Sequence, residues 1–316
     1  MSEIIASTST AIGPVELPTI DDILAGQIAN STRDMYRRDI AAYVKFARQE
    51  GLAEDNSKTL DAWRDWLVDG YTKRDGSQLS PNSINRMLSP LRRLYKEASR
   101  LDMVDESIAA KFRAVPGVKK KALKERLKIH SRTRISPEDM RRLCESPDTT
   151  TLVGLRDRAL LATLASSGVR ASELASLTHE QIVKKDGGYQ LSVRGKTDVD
   201  YRDAALSPEA YNLIQAWLQA RACQSVYVFT AFAGRGDRPL DTPISESGLW
   251  KCFVKYAKKC GIAHIKPHDA RRFVGTQLAK EDIRKAQIAL GHRDISTTAK
   301  HYVLDELPVG LTDHLY

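Results

Sequence analysis

Apolar residues recur at helical spacing through the first third of the chain. In the run that begins at Ser31, the residues predicted to share one helix face are Tyr36, Ile40, Tyr43, Val44 and Ala47. Gly51 follows, and a glycine commonly ends a helix. The segments LDAWRDWLVDG, PNSINRMLSPLRRLYKEASR and DESIAAKF continue the helical pattern. The pattern predicts a small all-helical domain over residues 18–112.

A second pattern begins near Ile135 and combines helices with a hairpin. Ser136-Pro137 is a typical helix start, and LVGLRDRALLATLASSG predicts a buried helix that stops at Gly168. YQLSVR and YRDAAL alternate around the turn GKTDVD, which predicts a β-hairpin with Lys196 at its tip, and VYVF predicts a further short strand. The remaining apolar runs are helical, so we predict a mainly α fold with a small antiparallel β-sheet.

The positive net charge of the chain indicates a polyanionic partner. The chain has 316 residues with 49 Lys+Arg against 40 Asp+Glu, a formal net charge of +9, and its 42% hydrophobic content excludes wholesale disorder. Residues 111–134 carry ten basic residues and one acidic residue. A solvated linker is the plain interpretation, but the basic excess favours a linker that contacts nucleic acid. The candidate DNA-binding residues are Lys119, Lys120, Lys121, Lys124, Arg126 and Lys128.

Several classes of protein are disfavoured. The four cysteines lie far apart without a CxxC pair, which argues against a zinc ribbon and against a disulfide scaffold. No run approaches the roughly 20 apolar residues that span a bilayer, and the N-terminus has no leader pattern. No GxxxxGK[ST] loop and no cluster of acids for two metals is visible. We expect a cytoplasmic, nucleoid-associated protein with no membrane partner, no metal and no cofactor.

Four short patterns in the second domain carry candidate chemistry. Arg170 follows the Gly168 helix stop, with Glu173 three residues later, and Lys196 lies on the hairpin tip. His268 and Arg271 share a helix face at i and i+3, close to a proline that marks the first turn. The fourth pattern is Gly291-His292, followed by Ser296-Thr297-Thr298 and Tyr302.

Each pattern alone has an ordinary structural interpretation: a surface ion pair, a turn lysine, a turn histidine or a half-buried tyrosine. Together they supply what phosphodiester cleavage requires without a metal. Guanidinium groups bind nonbridging phosphate oxygens and neutralise developing charge. A phenol can attack phosphorus, and a lysine can protonate the departing sugar oxygen, a step worth roughly 10² to 10⁴ in rate.

The sequence resembles the tyrosine recombinase family, which includes the phage integrases and the Xer-like and Cre-like enzymes. TRDMYRRDIAAYVKFARQEGL is similar to the family's SAM-like core-binding domain, and GVRASELASL, VRGKTDVDYRDAAL, KPHDARRFVGTQLA and IALGHRDISTT are similar to its catalytic motifs. The resemblance implies a SAM-like helical core-binding domain and a catalytic domain. We expect a flexible tail at 1–17, the core-binding domain at 18–112, a basic linker at 113–134, the catalytic domain at 135–305 and a C-terminal tail at 306–316.

The resemblance also implies roles for the matched residues. Arg170 and Arg271 would clamp the scissile phosphate, and Lys196 would protonate the departing 5′-oxygen to give the 5′-hydroxyl. His268 would assist proton transfer with the nucleophile or the phosphate, and His292 would hydrogen-bond a phosphate oxygen.

Glu173 matches the acidic position that braces this site, and Tyr302 would be the nucleophile that forms a 3′-phosphotyrosyl bond. Tyr302 lies one residue later than the family spacing, and His301 occupies the expected position. One residue turns a helical side chain by about 100°, so either the helix start or its winding must absorb the extra residue. Tyr316, the other tyrosine nearby, is much farther along the chain.

The implied partner is double-stranded DNA with paired inverted-repeat target sites. The implied assembly is a homo-tetramer on DNA that is a monomer or weak oligomer when free. The tail at 306–316 would dock on a neighbouring subunit or, alternatively, on its own domain. A type IB-like topoisomerase shares the chemistry but would relax supercoils without paired sites. A catalytically impaired DNA-binding relative is the alternative left open by the shifted Tyr302. A membrane-surface protein fits the charge, but the chain lacks a basic amphipathic anchor.

Overall fold

The computed structural model describes residues 19–24, 26–127, 134–185, 187–195, 200–234 and 238–302, without the side chains of 22 and 300–302. The chain divides into two compact units, Met1–Ile129 and His130–Tyr316, here called the N-terminal and C-terminal units. Among the helices of the described ranges, none is both long enough and apolar enough to span a membrane. The predicted tails, 1–17 and 306–316, lie outside the described residues.

The described part of the N-terminal unit is helical, as predicted. Its helices are α1 (Ile20–Leu24), α2 (Asn30–Gln49), α3 (Ser57–Asp69), α4 (Pro81–Arg100), α5 (Glu106–Ala114) and a 3₁₀ helix (Lys120–Arg126). Polar side chains cap three of the starts: Asn56, Ser80 and Asp105 each accept a backbone N–H from the first turn. The core centres on Tyr43, Trp63 and Leu88, which have no exposed surface.

The buried face of α2 differs in part from its prediction. Tyr36, Tyr43 and Ala47 are buried as expected, but Phe46 and Asp39 are buried as well. Asp39 is accommodated because Arg86 of α4 forms a bidentate ion pair with it. Partial desolvation still raises the pKa of Asp39, against the lowering effect of that arginine.

Residues that follow α5 pack on the N-terminal unit. Val115 is buried in its core, and Asn85 exchanges two hydrogen bonds with the backbone of Val118, at 2.8 and 3.0 Å. Arg92 donates to the carbonyl of Val115 at 2.7 Å. The unit boundary at 129 and 130 falls inside the predicted linker of 113–134. Residues 113–127 of that linker therefore rest on the N-terminal unit, while 128–133 lie outside the described residues.

The C-terminal unit joins helices to two small antiparallel sheets. Its helices are α6 (Pro137–Glu145), α7 (Leu152–Ser167), α8 (Ala171–Ala175), α9 (Pro208–Ala220), α10 (Glu246–Lys259), α11 (Pro267–Glu281), α12 (Ile283–Leu290) and α13 (Ile295–Tyr302). Its strands are β1 (Ile182–Lys185), β2 (Gly188–Val193), β3 (Arg202–Leu206), β4 (Thr230–Ala233) and β5 (Arg238–Pro243). The mainly α fold with antiparallel β structure is confirmed.

The sheets extend the sequence prediction and correct one strand. The hairpin of β2 and β3 is confirmed, with Val193 opposite Arg202, and β1 adds a third strand. The prediction of a strand over VYVF is wrong, because only Tyr227 pairs, in an isolated bridge with Thr178. The apolar pattern there reflects burial, because Val228 and Phe229 are both in the hydrophobic core. The actual strand, β4, begins immediately after them and pairs with β5.

Candidate active site

The turn after α7 brings three helices together. Gly168 ends α7 with φ of 63°, in the left-handed region where a side chain is strained. A Cβ at this position would lie 3.1 Å from Val274 Cβ on α11 and 3.2 Å from Leu290 Cδ2 on α12. The turn therefore needs a glycine for both its conformation and its close packing. Because it packs on α11 and α12, Arg170, two residues later, lies at the start of α8 beside these helices.

Arg170 lies at the start of α8 and is held by Glu173. Glu173 Oε2 accepts the backbone N–H of Arg170 at 2.8 Å, and Glu173 Oε1 accepts from Arg170 Nη1 at 2.6 Å. The Glu173 side chain is 1% exposed, whereas that of Arg170 is 36% exposed. The carboxylate thus fixes the direction of a guanidinium that reaches the surface.

Arg271 is the buried cation of the site, 2% exposed. Its Nη1 donates to the carbonyl of Gly168 at 2.8 Å, and its Nη2 donates to the carbonyl of Leu290. The second carbonyl belongs to the last turn of α12, where a positive charge is favourable. Arg271 therefore joins the turn that carries Arg170 to the turn that carries His292.

His292 follows Gly291, the glycine that ends α12 with φ of 65°. Its Nε2 lies 3.4 Å from Arg271 Nη2, and its Nδ1 lies 2.8 Å from the hydroxyl of Thr298 on α13. Thr298 is fully buried. Because an arginine N–H can only donate, Nε2 accepts in this contact, so Nδ1 carries the proton and donates to the threonine hydroxyl. Protonation of Nε2 would give an imidazolium whose Nε2–H can donate to a phosphate oxygen.

His268 lies in the first turn of α11, next to the same cations. The residue as a whole is exposed, yet the protein atoms around the imidazole desolvate it enough to lower its pKa. The positive charges of Arg272, Arg271 and Arg170 lower this pKa further. The neutral imidazole is therefore favoured, and it can accept a proton.

Sequence reasoning missed two features of the site. Arg202 was not recognised as part of it, and Thr298 was not recognised as the hydrogen-bond partner of His292. Arg202, the first residue of β3, donates from Nη2 to Glu173 Oε2 at 2.7 Å and from Nη1 to the carbonyl of Ala289 at 2.9 Å. Its signal in the sequence was weak: an arginine just after a hairpin turn, in a motif already assigned to Lys196. Its partners lie 29 and 87 residues away, so spacing could not reveal them.

The structure brings Arg170, Glu173, His268, Arg271 and His292 together on adjoining turns of one unit. Lys196 lies outside the described residues, and Tyr302 is described only as the last backbone position of α13. Helix α13 contacts both α11 and α12, the helices that hold Arg271 and lead to His292. The described residues contain no group of three or more His, Cys, Asp or Glu that could hold a metal ion.

The predicted DNA-binding lysines belong to the N-terminal unit. Lys119, Lys120, Lys121 and Lys124 are exposed around the 3₁₀ helix. Arg126 differs, because its Nη1 donates to the carbonyl of Val68 at the end of α3, at 2.7 Å, and its side chain is mostly covered. Lys128 lies outside the described residues. Arg126 thus serves at least to anchor this segment.

Family models and curated relatives of this chain agree on one protein family. Residues 133–306 match the model described as the phage integrase family, more than half of the chain. Residues 22–101 match the model described as the phage integrase N-terminal SAM-like domain. The tyrosine recombinase XerC of Pelobacter propionicus is 30% identical over 277 residues, which cover 86% of this chain and 85% of that protein.

Solved structures share the fold at low identity. The XerH recombinase in a post-cleavage complex with a palindromic difH substrate gives a TM-score of 0.62 at 17% identity, over 90% of this chain and 76% of that one. The lambda integrase tetramer bound to a Holliday junction gives a TM-score of 0.62 at 17% identity, over 91% of this chain and 77% of that one. This chain is a member of the phage integrase family of tyrosine recombinases, enzymes that cleave and rejoin DNA strands.

Proposed function

We propose that the chain is a site-specific recombinase or integrase that works through a 3′-phosphotyrosyl intermediate, without metal or ATP. The observation that carries this proposal is the convergence of Arg170, Arg271, His268 and His292 on adjoining turns. Two guanidiniums and two imidazoles form a cationic site suited to one phosphate, and α13, which ends at Tyr302, packs on α11 and α12.

In the proposed cleavage step, the Tyr302 Oη attacks phosphorus and loses its proton, which neutral His268 helps to remove. The bond from phosphorus to the 5′-oxygen breaks, and Lys196 gives that oxygen a proton. Arg170, Arg271 and His292 stabilise the added charge on the nonbridging oxygens. The phosphotyrosyl ester conserves the bond, so a 5′-hydroxyl from another strand can reverse the step without an energy source.

The proposed substrate is duplex DNA with paired inverted-repeat sites, bound by a homo-tetramer that is a monomer or weak oligomer when free. The palindromic substrate of XerH and the tetramer of lambda integrase support this assembly. Within it, 18–112 would be the core-binding domain, 135–305 the catalytic domain, and 306–316 a tail that docks on a neighbouring subunit. A recombinase of this kind would act in the cytoplasm, on the nucleoid.

The test begins with mapping cleavage in the DNA that flanks the encoding locus. Plasmids carrying two, one or no mapped sites are then incubated with the protein in EDTA. Strand exchange that requires two sites and survives EDTA supports the proposal. Relaxation of the plasmid without any site would instead indicate topoisomerase activity, and a loss of all cleavage in EDTA would contradict a metal-free reaction.

The exposed lysines at 119–121 are proposed to contact phosphates. Replacing Lys119, Lys120 and Lys121 together with alanine should weaken binding to target and random duplexes alike. The slope of log affinity against log salt should flatten by about 1 for each ion pair with phosphate that the substitutions remove. Band shifts at several salt concentrations, with both duplexes, measure this. A loss confined to the target duplex would contradict backbone binding and indicate base recognition.

The lowered pKa of His268 predicts the acid limit of cleavage. Since the folded protein favours the neutral ring, activity should persist as pH falls past the ordinary histidine value of about 6.5 and decline only below it. The pH profile of single-turnover cleavage at subsaturating DNA measures the ionisations of the free enzyme. The His268→Asn variant should lack this acid limb. An acid limb of the parent enzyme centred above 6.5 would refute the prediction.

A further inference from the structure

We infer that Arg202 is a positioning residue that keeps the charge of Arg170 available for the phosphate. The inference rests on the proposed role of Arg170. Arg202 begins β3, and its guanidinium contacts Glu173 beside α8 and the carbonyl of Ala289 in α12. It thereby links the strand that follows the hairpin to both of the turns that build the site.

The first step of the argument concerns charge. The Glu173 side chain is 1% exposed, so water cannot screen it well. If Arg170 were its only cation, the carboxylate would neutralise more of the charge that has to bind phosphate. Arg202 supplies a second cation at 2.7 Å. The carboxylate is thus shared between two arginines, and it neutralises less of the charge that the more exposed Arg170 presents at the surface.

The second step concerns position. Arg202 is 14% exposed and passes directly over Gly291, where a Cβ would lie 2.2 Å from Arg202 Cδ. Gly291 therefore leaves the space that the arginine occupies. The carbonyl of Ala289 belongs to the C-terminal end of α12, where a cation is favourable. The next turn carries His292. Arg202 therefore fixes the segment that precedes His292, and it also pairs with Glu173, the carboxylate that holds Arg170.

This role differs from simple structural support in one testable respect. A residue that only holds the fold would be equally necessary whatever the charge of Glu173. A residue that balances Glu173 becomes less necessary once that carboxylate is replaced by an amide. Glu173→Gln should therefore partly rescue a variant that lacks Arg202, although each replacement alone removes hydrogen bonds of the same network.

The experiment compares Arg202→Gln, Arg202→Lys, Glu173→Gln and the double variant R202Q/E173Q. The readouts are thermal unfolding, band-shift affinity and single-turnover covalent capture of a suicide DNA substrate. R202Q should lower the capture rate by about 10- to 100-fold, as loss of a residue that orients a ligating group does at metal sites, while DNA affinity changes little. R202K retains the charge and should lose less. The double variant should capture DNA faster than R202Q.

Arg221→Gln is the matched control. Arg221 is also a largely buried arginine, and it donates to the carbonyls of Ser225, Tyr227 and Val228 beyond α9. Its loss should lower the melting temperature without changing the capture rate of the folded protein. A double variant no faster than R202Q, or R202Q with the parent rate, would overturn the inference. If Arg170→Ala itself captured DNA at the parent rate, the proposed site would fail instead.

Discussion

Replacing Tyr302 with phenylalanine should abolish covalent capture of a suicide DNA substrate and leave band-shift binding intact. The variant loses only one hydroxyl, so the contacts of α13 with α11 and α12 remain available. Without that oxygen no phosphotyrosyl ester can form at this position. Capture is measured as a protein–DNA adduct that survives denaturing electrophoresis.

The matched controls are Tyr316→Phe and His301→Ala. Tyr316 is the other tyrosine in this part of the chain, and His301 occupies the position at which the family spacing would place the nucleophile. Both controls should retain the adduct. An adduct that persists in Tyr302→Phe but disappears in Tyr316→Phe would move the nucleophile to the end of the chain. If no variant and no parent protein forms an adduct, the chain is a catalytically impaired relative.

Replacing Arg170 or Arg271 with alanine should slow cleavage strongly, but only Arg271→Ala should also destabilise the fold. Loss of one group that stabilises the developing charge costs about 10²- to 10³-fold in rate. Arg170 is 36% exposed, and Glu173 keeps Arg202 as a partner when Arg170 is removed. Arg271→Ala instead leaves the carbonyls of Gly168 and Leu290 without this buried donor. Each unsatisfied buried group costs about 1–3 kcal/mol.

Calorimetry and suicide-substrate capture measure the two effects separately. The melting temperature of Arg170→Ala should stay near that of the parent, whereas that of Arg271→Ala should fall by several degrees, since ~1 kcal/mol corresponds to about 2–4 °C in a domain of this size. Arg271→Lys retains a charge but has no fork to hold two carbonyls, so it should also be destabilised. Equal melting temperatures for all variants would contradict the proposed bridge between the two turns.

Local chemistry made much of the fold predictable. The starts Ser80-Pro81, Ser136-Pro137 and Ser207-Pro208 each combine a capping hydroxyl with a proline in the first turn, and a helix begins at each of these prolines. Gly168 ends α7 where the sequence indicated. These signals depend on neighbouring residues, so the sequence carries them directly.

Features that depend on distant partners were not predictable. Strand β5 contains two prolines, which disfavour a strand in general but are tolerated in a two-stranded ribbon with open edges. The burial of Asp39 depends on Arg86, 47 residues away. Arg202 acts through Glu173 and Ala289, which spacing cannot associate with it. The sequence motifs singled out Arg170, Arg271 and His292, whose turns adjoin in the structure, whereas the network that orients them depends on residues far apart in the sequence.

The packing of the segment after α5 has a consequence for engineering hybrid enzymes. Exchanging DNA-recognition modules between relatives requires a junction that leaves both hydrophobic interiors intact. A junction after 112 would separate Val115, Val118 and Leu123 from the interior they contact. It would also break the hydrogen bonds that Asn85 and Arg92 make to this segment. A transplanted module should therefore carry its residues through 127.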